Sequence, residues 1–142
     1  MEDKRRFMKL FTADAVAVLS YLADKLPHKS NEIFKQAESG LVRIQVPEIA
    51  VGEVIYTILK GKEVFGVSIP LKKISLLLDV LETSKNLFIV SLSINGWRKV
   101  MGIDLPDLHD RMIVATHLTT DSQALLTDDG KIRELKEVEV IW

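Results

Sequence analysis

Short apolar runs alternate along the chain with stretches whose apolar residues recur every three or four positions, the patterns of buried strands and amphipathic helices respectively. Residues 8–13 read as a first strand ending at Asp14, and Ala15, Val18, Leu19 and Leu22 follow at helical spacing until Pro27 closes that segment. A second helix is predicted over about 32–39, with Ser30 or Asn31 as its N-cap and Gly40 where a helix C-terminus favours glycine. In residues 41–46, Val42, Ile44 and Val46 alternate with Arg43 and Gln45, which gives a second strand. Pro47 suits the first turn of the next helix, predicted to run to about residue 60, just before Gly61. A turn-rich passage over 66–70 leads into a strongly apolar helix over 71–81, and a third strand covers 87–92. A short helix over 93–101, capped by Ser93 or Asn95, precedes a helix over 110–118, a fourth strand over 124–127 and a fifth over 138–141. In the last, Glu137 and Glu139 alternate with Val138 and Val140, as on an edge strand with one wet side.

Strands separated by helices imply crossover connections, and those build a parallel sheet covered on both faces. The predicted fold is therefore α/β: three layers, α/β/α, around a mainly parallel sheet of about five strands. A length of 142 residues suits one domain spanning the chain, with the charged residues 1–7 expected to form a flexible N-terminal segment. There is no internal repeat. The absence of cysteine excludes disulfides, thiolate metal sites and a cysteine nucleophile. No apolar run approaches the roughly 20 residues of a membrane span, and Thr12 and Asp14 interrupt any signal-peptide core. A cytoplasmic protein with no membrane partner is expected. With a net charge of −1, any nucleic-acid binding must rest on a local basic patch.

The acids carry the chemistry. Open α/β sheets bind ligands beyond the carboxyl ends of their strands. Asp14 ends the first strand, Asp129 lies just past the fourth, and Asp110 opens the helix leading into the fourth. Glu53 is the only carboxylate of its helix after the first turn, and Asp14 is the sole charge between Lys9 and Asp24. A carboxylate in an apolar stretch is costly to bury unless compensated, and no Lys or Arg neighbours either residue at helical or strand spacing. A divalent cation would compensate both. Acids converging without Cys or His point to Mg²⁺ or Mn²⁺ rather than zinc, and the chemistry such a site serves is phosphoryl transfer.

Each acid also has an ordinary structural use. Asp110 suits the first turn of a helix, Asp128-Asp129-Gly130 suits a turn, Asp14 suits an N-cap, and Glu53 suits a solvated helix flank. His109 reads as a surface or capping residue, Trp97 and Trp142 as packing residues, and Lys131, Arg133 and Lys136 as a solvated helix face. Their joint placement, not any single residue, points to a site.

That placement resembles the PIN domain, and most closely the toxin subunits of VapBC toxin–antitoxin pairs. The resemblance is carried by an apolar strand ending at Asp14, by Val46-Pro47-Glu48 leading into Glu53, by Asp110-Arg111-Met112-Ile113-Val114-Ala115-Thr116, and by Leu125-Leu126-Thr127-Asp128-Asp129. The spacings are 39 residues from Asp14 to Glu53, 57 to Asp110 and 19 to Asp129. The resemblance implies that these four acids bind Mg²⁺ or Mn²⁺ and hydrolyse single-stranded RNA, with a small antitoxin and a second copy of the chain as partners. It makes Thr127 the hydroxyl residue supporting the fourth acid, and Asp128 the alternative to Asp129. Where the family often carries Ser, Thr or Asn just after the first Asp, this chain has Ala15 and Val16, leaving Thr127 or Thr12 to supply that hydroxyl. Two other readings remain open: a PIN nuclease of RNA processing with no antitoxin, and a PIN-fold binding module of weak activity. Lys131, Arg133 and Arg111 are the candidate RNA contacts at the rim, Arg111 with a structural alternative as carboxylate partner or packing residue. Ile33, Phe34 and the wide apolar stripe Leu71, Ile74, Leu76, Leu77, Leu78, Val80 and Leu81 are the candidate dimer surface.

Overall fold

The computed structural model describes residues 8–142, so the expected flexible segment 1–7 lies outside the described residues. The chain runs β1 (Leu10–Ala13), α1 (Ala15–Leu22), α2 (His28–Glu38), β2 (Arg43–Pro47) and α3 (Glu48–Leu59). A small hairpin, β3 (Glu63–Val64) and β4 (Val67–Ser68), leads to α4 (Lys72–Thr83) and β5 (Leu87–Val90). Then come α5 (Ile94–Val100), α6 (Leu108–Leu118), β6 (Ser122–Leu126), α7 (Gly130–Arg133) and β7 (Val140–Ile141). The central sheet has five strands in the order β5-β2-β1-β6-β7, and every neighbouring pair in it is parallel. The four residues of β1 are all buried, so both faces of the sheet are covered and the fold is three-layered. β7 is an edge, as its alternating pattern predicted.

From β1 the chain builds outward through β2 to β5, then returns past β1 to lay down β6 and β7. The strand order therefore reverses between β1 and β6. At such a reversal the connections leave on opposite sides and open a crevice beyond the strand ends. Ala13 pairs with Leu126 at the last step of both strands, and the Asp14 N–H donates to the Leu126 carbonyl at 3.2 Å.

Several boundaries differ from the sequence pattern, each for a physical reason. The first helix stops at Leu22, and Pro27 is the N-cap of α2 rather than the end of α1. α2 therefore begins four residues earlier than predicted, at His28, without a side-chain cap, and Ser30 is a buried residue inside it. Asp107 rather than Asp110 caps α6: its carboxylate accepts the Asp110 N–H at 3.0 Å. Ser93 caps α5 as expected, accepting the Gly96 N–H at 3.0 Å. The turn-rich passage holds a hairpin whose tight turn places Phe65 and Gly66 at positive φ. The apolar stripe of α4 is narrower inside than predicted. Leu77 and Leu81 are buried, Ile74 packs partly against the core, and Leu71, Leu76, Leu78 and Val80 face out. Ile33 and Phe34 belong to the core and are not available to a partner.

Candidate active site

Asp14 is held by its own helix. As N-cap of α1 it accepts the Ala17 N–H at 2.9 Å, and it is almost completely buried because Ala13 and Ala17 on either side of it are core residues. Asp129 does the same for α7, its Oδ1 accepting the N–H groups of Lys131 at 2.8 Å and Ile132 at 3.0 Å. The capping use of both acids is therefore real, and it coexists with their convergence. Capping fixes one carboxylate oxygen on the backbone and aims the group along the crevice floor.

Glu53 reaches the crevice from α3. Ala50, Val51, Val54 and Ile58 form the buried stripe of that helix, and Glu53 sits half-exposed on its flank with Oε2 at 3.9 Å from Nδ1 of His109. Its other oxygen, Oε1, is buried and has no hydrogen-bond partner among the described residues. Asp110 comes from the first turn of α6. Asp14, Glu53, Asp110, Asp128 and Asp129 together line one open cavity of about 210 Å³, with Ala15, Val16 and Ile113 supplying its apolar part. The structure thus brings all four predicted acids together, and Asp128 with them.

The electrostatics follow from burial first. Removal from water pushes the Asp14 carboxyl up to about 7; the Thr127 hydroxyl and the Ala17 N–H oppose this, and the charges of Asp129 and Glu53 add to it. Burial also raises Glu53, with His109 opposing and Asp110 and Asp107 reinforcing. Asp110 is raised by burial, then by Asp107 and Asp129, while His109 and Lys131 pull it down. Desolvation, more than mutual repulsion, therefore makes these carboxylates reluctant to ionise. An added positive charge is what the cavity lacks.

The hydroxyl left open by Ala15 and Val16 is supplied by Thr127. It is fully buried, its side chain bonds the Asp14 carboxylate, and its oxygen accepts the Asp129 N–H at 3.0 Å, so one residue positions two acids. Thr12 does not share that task, being engaged with Ser122 at 2.8 Å and Gln45 at 2.9 Å. Of the two roles open for Arg111, the structural one is occupied: its guanidinium donates to the carbonyls of Leu105 and Val100. Lys131 and Arg133 are exposed on α7 beside the acids, and Lys136 lies beyond that helix. Sequence reasoning passed over Asp107 and set His109 aside as a surface or capping residue, yet both act on Glu53 and Asp110. Asp107 had a signal, since an Asp three residues ahead of a helical position is the spacing of an N-cap.

The donor set is all oxygen, which suits a hard divalent cation, and the unpartnered Glu53 Oε1 and the desolvated Asp14 are groups such an ion would satisfy. Among the described residues, no group of three or more His, Asp or Glu side chains is already set at ligating distance around one point.

No family model and no curated protein matches the sequence. Solved structures do match the fold. VapBC2 from Rickettsia felis, bound to a DNA fragment from its promoter, aligns at TM-score 0.64 with 14% identity over 93% of this chain and 97% of that one. The chain has a PIN-like fold. A toxin–antitoxin complex from Klebsiella pneumoniae aligns at 0.62 and 13% identity, covering 93% and 96%. VapC20 from Mycobacterium tuberculosis, a sarcin-ricin loop cleaving toxin, aligns at 0.56 and 11% identity, covering 91% and 98%. The shared fold thus spans nearly the whole chain, while at such low identities the site must be argued from this chain's own residues.

Proposed function

We propose that the protein is a divalent-cation-dependent endoribonuclease acting on single-stranded RNA, and the toxin of a toxin–antitoxin pair. The observation that carries this reading is the gathering of Asp14, Glu53, Asp110 and Asp129, from four separate stretches of chain, around one cavity at the point where the strand order reverses. These four would hold Mg²⁺ or Mn²⁺. When bound, such an ion would lower the pKa of a water so that hydroxide is available to attack a phosphodiester, and would neutralise the charge that develops on the phosphate. The chain supplies the rest. Thr127 and the backbone amides of Ala17, Lys131 and Ile132 fix the carboxylates. The dry floor around Asp14 strengthens every charge interaction made there. Lys131 and Arg133 offer the substrate backbone positive charge at the rim, so an acidic pocket on a chain of net charge −1 can still receive RNA.

A protein partner is supported by the apolar residues that α4 leaves outside, Leu71, Leu76, Leu78 and Val80. The structures that share this fold include a toxin–antitoxin complex and a sarcin-ricin loop cleaving toxin. The test is cleavage of a single-stranded RNA by purified protein, with Mn²⁺ and with EDTA. Cleavage is expected only with the cation. Asp14→Asn is expected to lower it on the order of a hundredfold or more, since even supporting residues of metal sites are worth roughly 10 to 100-fold. Undiminished cleavage by Asp14→Asn overturns the assignment.

A further inference from the structure

A second cavity, of about 310 Å³ and mostly apolar, opens between two of the helices that carry the acids and α5. It lies beyond the ends of β2 and β5, and its lining includes Ile49 and Gly52 of α3, Met112 of α6 and Trp97 of α5, with Glu48 and Ser91 at its edge. It shares both helices with the acid cavity. Gly52 directly precedes Glu53, and Met112 follows Asp110 by two residues.

Gly52 is the informative residue. It stands inside a twelve-residue helix, where glycine is the least favoured residue after proline. Its φ is not positive, and a Cβ built on it meets nothing within 4 Å. Neither backbone conformation nor packing within this chain requires glycine there. What its missing side chain does is leave the floor of this cavity open. The same cavity is lined by Trp97, 44% exposed although it is among the largest apolar side chains of the chain. At the edge, the Ser91 hydroxyl donates to Glu48 Oε2 at 3.0 Å, which orients an acceptor-only group at the mouth of an otherwise apolar space.

We infer that this cavity receives one unstacked nucleobase of the RNA, next to the phosphate at the acids, and that Glu48 selects a base bearing an exocyclic amino group over uracil. This inference rests on the nuclease reading proposed above. The chemistry matches class to class. Single-stranded RNA is read by splaying a base onto an aromatic face and hydrogen-bonding its edge. A carboxylate accepts from the amino groups of cytosine, adenine or guanine, whereas uracil offers it a single ring N3–H flanked by two carbonyl oxygens that repel it. The cavity is of the size that small-ligand sites occupy, with few polar groups to set orientation.

The experiment measures binding of short labelled oligocytidylate, oligoadenylate and oligouridylate to the full chain in EDTA, so that no cleavage occurs. Wild type is expected to bind the first two more tightly. Trp97→Ala removes the stacking face, and Gly52→Leu fills the floor; each is expected to weaken binding by about tenfold or more, the worth of one stacked base. Glu48→Gln is expected to keep overall affinity and lose the discrimination against uridine, because the amide offers a donor as well as an acceptor. A thermal melt of Gly52→Leu is expected at or above that of wild type, which separates a filled cavity from a damaged fold. Unchanged affinities in Trp97→Ala and Gly52→Leu overturn the proposal. So does a Gly52→Leu variant that loses dimer mass in light scattering while binding RNA normally, which would assign the face to a second copy. If wild type cleaves RNA with Mn²⁺ while these variants match it in binding, the nuclease stands and only the base site falls.

Discussion

Asp14 owes its behaviour to two neighbours that were visible in the sequence and one that was not. Ala13 and Ala17 bury it, as the apolar run around a lone charge predicted. The Thr127 hydroxyl that reaches it comes from 113 positions away, and only the order of motifs singled that residue out. A carboxyl raised from 3.8 to about 7 in the folded protein binds a proton more tightly folded than unfolded. Its stabilising contribution is therefore complete below about pH 4 and is lost as pH rises to about 7. In EDTA, the melting temperature of wild type is expected to fall from pH 5 to pH 7.5, and that of Asp14→Asn to change much less, so that the variant melts higher by several degrees at neutral pH. Equal pH dependence in differential scanning calorimetry would show that Asp14 is not the titrating group. Thr127→Val removes a hydrogen bond to the charged form, so the acidic limb of the Mn²⁺-dependent rate profile is expected to move to higher pH, at a stability cost of about 1–3 kcal/mol.

The helices and strands show where sequence pattern suffices and where it stops. Alternating apolar runs located all five strands of the sheet, because burial on both faces leaves little room for other residues. Boundaries failed where the stop is made by contacts at a distance. Pro27 looked like an ending and is a beginning, since a missing N–H costs as little at a helix start as beyond a helix end. The bounds of α7 went unpredicted, although Lys131, Arg133 and Lys136 read as a helix face, because four residues carry no periodicity; the helix is anchored by buried Ile132 and by the Asp129 cap. That anchoring fixes where Lys131 and Arg133 stand. Replacing both with alanine is expected to weaken RNA binding for all sequences and to reduce the slope of log affinity against log salt by about 0.7 per charge removed. The cleaved position is expected not to move, because phosphate contacts position rather than specify. A titration with an unchanged slope would place the RNA path elsewhere.

For the whole molecule, the decisive feature is the reversal of strand order between β1 and β6, which sets Asp14 and Asp129 side by side while α3 and α6 bring Glu53 and Asp110 over them. Sequence placed Asp14, Asp110 and Asp129 near strand ends and Glu53 inside a helix, but could not show how burial raises the Asp14, Glu53 and Asp110 carboxyls, which depends on the closed core beneath. The apolar faces left outside give an expectation for assembly: light scattering of the purified chain is expected to show dimer mass, with Leu76→Ser/Leu78→Ser shifted toward monomer, and monomer mass for wild type at high concentration would contradict it. Among the described residues no helix is long and apolar enough to cross a membrane. The central claim is that the four carboxylates form one cation site, and the most direct measurement is anomalous scattering from a crystal soaked in Mn²⁺. The expected result is a peak inside the acid cavity, with carboxylate oxygens of Asp14 or its three partners as ligands at roughly 2.0–2.2 Å, close to the Mg²⁺ distance. An empty cavity at Mn²⁺ concentrations that support cleavage, or a peak elsewhere on the molecule, would contradict the account.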